Sequence, residues 1–202
     1  MKKMRRLVFA AVLVLFATSN AVAYKLIYKE QIYELYHVQL YQYPERIAEN
    51  IHWIKLALRA DFANPLYALA EIEHKRDWER YRYLFNMHLN LKLVELYLRW
   101  GSKYNKEQAY FYNYPWKQEN LDSLIRAEDL FNRALRYWEE AQRWSDRAAE
   151  LSLVHLEEIQ AWADESYRIQ RGSLDYEAII KRHLSRLRQV REDFQNMDAD
   201  TY

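Results

Sequence analysis

Residues 77–101 read DWERYRYLFNMHLNLKLVELYLRWG, the longest unbroken stretch of helical spacing in the chain. At about 100° per residue, Leu84, Met87, Leu91, Val94 and Leu98 fall on one side, and Phe85, Leu89, Leu93, Leu96 and Trp100 roughly opposite. Two narrow polar stripes separate them, Glu79/Arg82/Asn86/Asn90 and His88/Lys92/Glu95/Arg99. A surface helix needs one apolar face, so two opposed faces predict a central helix with packing partners on both sides. Asp77 is its expected N-cap and Gly101 its expected stop.

The flanking segments read as its neighbours. Residues 24–41 predict a largely buried first helix carrying Ile27, Tyr28, Ile32, Leu35, Tyr36 and Val38. Tyr43-Pro44 makes a turn, because the residue before proline is pushed out of the helical region. A second helix over 45–60 has Ile47, Ile51, Ile54 and Leu58 inside, and Pro65 opens a predicted third helix running to about His74. After an irregular stretch at 101–120, Leu121, Leu124, Phe131, Leu135, Trp138 and Ala141 form a stripe at helical steps. Ser145 is a candidate cap or kink, beyond which Ala148, Leu151, His155, Ile159, Trp162 and Ile169 continue the pattern to Gly172. The last helix, 174–194, has Tyr176, Ile180, Leu184, Leu187, Val190 and Phe194 on one side and Lys181, Arg182, Arg186, Arg188 and Arg191 on the other. An acidic tail, 196–202, is expected to fray.

Two glycines, three prolines and no strict alternation leave little turn chemistry for a sheet. The class is therefore all-α: a helix-pair stack or an irregular bundle of about six to seven helices, in one domain over residues 24–195.

The N-terminus changes the picture. Lys2, Lys3, Arg5 and Arg6 precede an apolar run at 7–17, then Ala21-Val22-Ala23 before Tyr24. That is the pattern of a secretory signal peptide over residues 1–23, and the run is short of the roughly 20 residues that span a bilayer. Retention as an N-terminal anchor is the alternative. The expected location is the bacterial periplasm, and membrane contact is expected only through such an anchor or a partner. With no cysteine there is neither a lipid-anchoring thiol nor a disulfide, so about half the residues being hydrophobic must stabilise the core. Removing the four leader cations from 30 Lys plus Arg leaves 26 against 29 acids, near −3, which speaks against a nucleic-acid binder.

Candidate chemistry is sparse. Glu-x-x-His recurs at Glu34/His37, Glu49/His52 and Glu71/His74, the element of di-iron carboxylate bundles. Glu49/His52 shares a face with Glu45, Lys55 and Arg59 and reads as solvated. Glu34, His37, Glu71 and His74 are the better metal candidates, with Glu95 or Glu128 to complete a set; charged pairs at helix spacing are the plainer reading. His155 and His183 lie near apolar stripes and are expected in the core, and His88 in a local polar network. Two glycines build no phosphate loop, and no nucleophile elbow, His-Glu-x-x-His or thiol is present. No enzyme and no cofactor is expected.

Eighteen tyrosines and seven tryptophans are the most unusual feature. Tyr104, Tyr110, Phe111, Tyr112, Tyr114 and Trp116 crowd one connector, which reads either as a pinned link or as a docking surface for a partner protein or a sugar ring. Arg186, Arg188 and Arg191 are a solvated face or a second contact surface.

Two stretches resemble the tetratricopeptide repeat. Ala57-Leu58-Arg59-Ala60-Asp61-Phe62-Ala63-Asn64-Pro65 resembles its close, with Phe62 where that family usually has Pro; Ala127-x3-Phe131-x2-Ala134-Leu135 resembles its second helix. The segments NPLYALAEIEH, 82–98 and AYFYNYPW together look like a family of small exported proteins from bacteria with periplasmic flagella, some helical-repeat members of which build a collar around the flagellar motor. These resemblances imply a scaffold for other periplasmic or envelope proteins, with oligomeric state open. A di-metal bundle and a glycan- or solute-binding protein are the alternatives.

Overall fold

The computed structural model describes residues 26–151 and 155–198, the side chains of Phe111 and Tyr112 excepted, so the expected leader lies outside the described residues. Six α-helices are among them: α1 (Lys29–Gln42), α2 (Ile47–Arg59), α3 (Lys75–Tyr104), α4 (Lys117–Ala149), α5 (Gln160–Gln170) and α6 (Tyr176–Asn196). Short 3-10 segments stand at Pro65–Tyr67, Phe111–Trp116 and Glu157–Ile159, and no described residue belongs to a strand.

Helix α3 is the centre, and both its apolar faces are buried, through Leu84, Met87, Leu91 and Val94 on one side and Phe85, Leu89, Leu93 and Leu96 on the other. Its ends differ from the expectation. Asp77 is not the N-cap but sits one turn in, where its carboxylate accepts the backbone N–H of His74 at 2.9 Å. Gly101 does not stop the helix, which continues to Tyr104; its missing side chain instead makes room for the ring of Phe131.

Helix α4 runs antiparallel along α3. Tyr83 meets Trp144 at one end of the pair, Tyr97 stacks on Tyr137 at 5.6 Å further along, and Ser123 donates to the Tyr104 carbonyl at the other end. Helix α6 returns along α4, with Trp138 against Tyr176, Phe131 against His183 and Glu128 against Arg191. The α1–α2 hairpin packs on α3 through α2 and is closed where Lys29 donates its backbone N–H to the Asp61 carbonyl at 2.8 Å. Helix α5 contacts both α3 and α4, stacking Trp162 on Phe85 at 4.8 Å.

Helix α1 is not buried all round: Ile32, Tyr33 and Tyr36 are, but Val38 is about half exposed, as is Ile27 just before the helix. The helix predicted at 65–74 is absent. Only Pro65–Tyr67 winds, as a 3-10 turn, because Leu66 and Tyr67 face solvent and leave it no apolar face to bury; Ala68 is already extended. The irregular remainder is tied down by side chains, Leu69 N–H donating to the Tyr81 hydroxyl and Glu71 N–H to the Glu158 carboxylate.

Ser145 does not cap α4, which runs on to Ala149. It is buried inside the helix, 2.8 Å from the Ser166 hydroxyl of α5. The end comes at Ala149, where buried Arg80 of α3 donates to the Ala148 carbonyl at 2.8 Å and places a cation at the negative end of the helix. The pattern read through 172 as one continuation is thus a separate helix. Past α5, Gly172 takes a φ of +68, its N–H bonding the Ile169 carbonyl and that of Ser173 the Arg168 carbonyl, a Schellman stop that needs glycine. The packed body reaches beyond 195, since Met197 is buried; residues 199–202 lie outside the described residues.

Candidate functional site

The aromatic connector between α3 and α4 is fixed at both ends. At its start the Tyr104 carbonyl accepts from Ser123 at 2.9 Å, and the Tyr104 ring lies 5.9 Å from the Arg126 guanidinium. At its end Asn120 donates to the Trp116 carbonyl at 2.9 Å. The Lys117 ammonium then donates to the carbonyls of Gln195 and Met197, at 2.9 and 2.7 Å, closing the C-terminus of α6 with a positive charge. Tyr104 and Tyr114 pack against the core, whereas Tyr110 is 46% and Trp116 57% exposed. The connector is therefore divided: some rings anchor it and others face water. The side chains of Phe111 and Tyr112 lie outside the described residues; their backbone belongs to the 3-10 segment.

Lys117 also joins this connector to the end of α6, whose basic side was the second candidate surface. Arg186 and Arg188 are exposed and make no ion pair among the described residues. Arg191 does not belong with them: it is half-buried and paired with Glu128 across the α4–α6 contact. Lys181 likewise pairs with Glu177 one turn earlier. His183 is partly covered and stacked on Phe131, and its pKa is held down by burial and by the nearby charges of Arg186 and Arg182.

The Glu-x-x-His pairs do not assemble. Glu34 and His37 are exposed on α1. Glu71 and His74 line a cleft of about 510 Å³ at the start of α3 with Glu73, Asp77, His155, Glu157 and Glu158, and neither Glu34 nor His37 reaches it. No three His, Asp or Glu side chains converge as a ligand set among the described residues. The two carboxylates expected to complete a set are engaged elsewhere, Glu95 with Lys92 and the Tyr176 hydroxyl, Glu128 with Arg191. His155, expected in the core, is exposed.

The core holds polar chemistry that the periodicity did not single out. His88 is buried, and its network is made across helices, not with Lys92 and Glu95: its Nε2 lies 2.7 Å from the Tyr33 hydroxyl and its Nδ1 2.6 Å from the Glu165 carboxylate. The carboxylate fixes the proton on Nδ1, which leaves Nε2 to accept from the phenol. Burial first, then the Glu165 charge, pushes the Tyr33 pKa far up, so the phenol stays protonated. At the start of α1, Lys29 and Glu30 are both buried. Lys29 donates to the Leu58 carbonyl and Asn86 at 3.1 Å each, and Glu30 accepts from the Ala63 N–H at 2.9 Å and from the Tyr81 hydroxyl. These groups join α1 to the 58–63 corner and to α3. The surface signal missed in the sequence is the pair Leu66 and Tyr67, 86% and 74% exposed on a corner read as helix.

No helix among the described residues is long and apolar enough to cross a membrane. No curated protein and no solved structure matches the chain. A family profile does match, over residues 76–197, a span that starts at α3 and ends just past α6. The chain therefore belongs to that family, described as a domain of unknown function (DUF8513).

Proposed function

We propose that the chain is a non-enzymatic scaffold of the bacterial periplasm or cell envelope, holding partner proteins through its aromatic connector and the open basic side of α6. The observation that supports this most is the exposure of Trp116 and Tyr110 on a backbone fixed at both ends. Large amphipathic rings supply much of the energy at interfaces, and presenting them from an ordered segment lowers the entropy lost on docking. Arg186 and Arg188 lie on the helix that Lys117 joins to this connector and add attraction for acidic partners. The leader pattern supports export, and the resemblance to collar-forming proteins supports a flagellar-motor-associated assembly as the partner.

In-cell crosslinking of the tagged full-length chain, followed by identification of co-purifying proteins, tests the reading. The expected result is a small stoichiometric set of envelope or flagellar-motor proteins, lost when Tyr110 and Trp116 are both replaced by Ala with the helix content unchanged. Recovery of the chain alone as a monomer would overturn the scaffold reading, and undiminished capture by the double variant would overturn the assignment to this surface.

A further inference from the structure

A cleft of about 350 Å³ opens where α2, α3 and α4 meet, lined by Lys55, Tyr97, Arg133, Arg136, Tyr137 and Glu140. Its floor is the Tyr97–Tyr137 stack, with ring planes 9° apart. Lys55 reaches over both rings, its Nζ 5.4 Å from one centroid and 5.9 Å from the other. Burial works against the Lys55 charge, but the two tyrosine hydroxyls outweigh it and hold its pKa above the ordinary lysine value. The ammonium is thus kept charged in a partly desolvated place.

The charges around the cleft do not balance. Arg133 gives its Nε–H to Asp129 at 2.8 Å, and Glu140, which lines the cleft, pairs with Arg143. Lys55 and Arg136 have no carboxylate within ion-pair distance among the described residues. Some cations elsewhere on the surface are answered, Arg46 by Glu49, Arg99 and Lys103 by Glu45, Lys181 by Glu177. Three of the lining residues are cations, Lys55, Arg133 and Arg136, and one is a carboxylate, Glu140. Guanidinium groups match planar or tetrahedral oxyanions in forked geometry, a lysine adds a point charge, and the small volume suits a compact ligand.

We propose that this cleft binds a compact oxyanion carrying two or more negative charges, a phosphate ester or a polycarboxylate, between the Arg133 and Arg136 guanidinium groups and the Lys55 ammonium. The site does not depend on the scaffold reading, which concerns a different surface.

Isothermal titration of the full chain with inorganic pyrophosphate and with citrate, at constant ionic strength set with sodium chloride, tests it. Saturable one-to-one binding is expected, weakened about tenfold or more by Arg136→Ser and by Lys55→Met, each of which removes one charge-assisted contact. Glu140→Gln removes the competing carboxylate and is expected to tighten binding several-fold, a gain that no loss of folding can imitate. Preference for pyrophosphate would identify phosphate esters as the ligand class, and preference for citrate polycarboxylates. Absence of saturable heat with either probe, or binding that Arg136→Ser and Glu140→Gln both leave unchanged, would overturn the proposal.

Discussion

Gly101 of α3 lies against the ring of Phe131 of α4: a Cβ at position 101 would stand 2.6 Å from Cε1 of that ring. Phe131 is fully buried and also stacked with His183, so it has little room to retreat. Gly101→Ala gains helix propensity of about 1 kcal/mol but meets overpacking of about 1–3 kcal/mol, so a net loss is expected. Adding Phe131→Leu should make the same glycine substitution neutral or favourable. Chemical denaturation of the four proteins of this cycle checks the coupling, and equal effects of Gly101→Ala in both backgrounds would refute it.

The Tyr33–His88–Glu165 chain joins α1, α3 and α5 through two hydrogen bonds inside the core. Tyr33→Phe leaves the His88 Nε2 without its donor, and Glu165→Gln exchanges a charged acceptor for a neutral amide. Each is expected to lower stability by about 1–3 kcal/mol, and the pair by less than the sum, because both changes act on one imidazole. Additive losses in denaturant melts would show that the three side chains do not act as a unit.

How far the fold was legible follows from the same residues. The double-faced pattern at 77–101 marked α3 as central because burial on two sides leaves a direct trace in periodicity. Residues 65–74 misled because proline opens a helix equally well as a 3-10 turn; Leu66 and Tyr67 look like core residues until their 86% and 74% exposure is seen. Gly101 read as a stop because glycine's role as a space for Phe131, some thirty residues away, has no local signature. His88 read as part of a local network with Lys92 and Glu95 for the same reason: its partners Tyr33 and Glu165 come from other helices. In the 104–116 connector, which rings anchor and which face water was not legible, since Tyr104 and Trp116 differ in contacts rather than in type.

Lys29 gives the stability a pH dependence of its own. Burial lowers its pKa to about 8, Glu30 opposing and Arg82 adding to the shift, against 10.5 in the unfolded chain. Between those values the unfolded state binds the proton and the folded state does not, so stability rises with pH across the window. Below about pH 8 the penalty for the buried charge is present in full, and it is relieved as the group loses its proton. Measured against Lys29→Met, which keeps the length but not the charge, the native chain should gain up to about 2–3 kcal/mol between pH 7 and pH 10. Parallel pH profiles for the two proteins would sink this account.

The division of the connector predicts opposite behaviour for rings of the same kind. Tyr104 and Tyr114 pack on the core, and Tyr104 also holds Arg126 over its face. Tyr104→Ala and Tyr114→Ala should each lower stability by about 1–3 kcal/mol as buried area is lost and the link to α4 loosens. Trp116→Ala removes a ring that is 57% exposed and should stay within about 0.5 kcal/mol of the native chain. A thermal-melt series orders the three, and crosslinking then compares Trp116→Ala with the native chain at equal stability. A drop in Tm for Trp116→Ala as large as that for Tyr104→Ala would mean that the exposed ring is an anchor too, and the case for it as a contact point would fall.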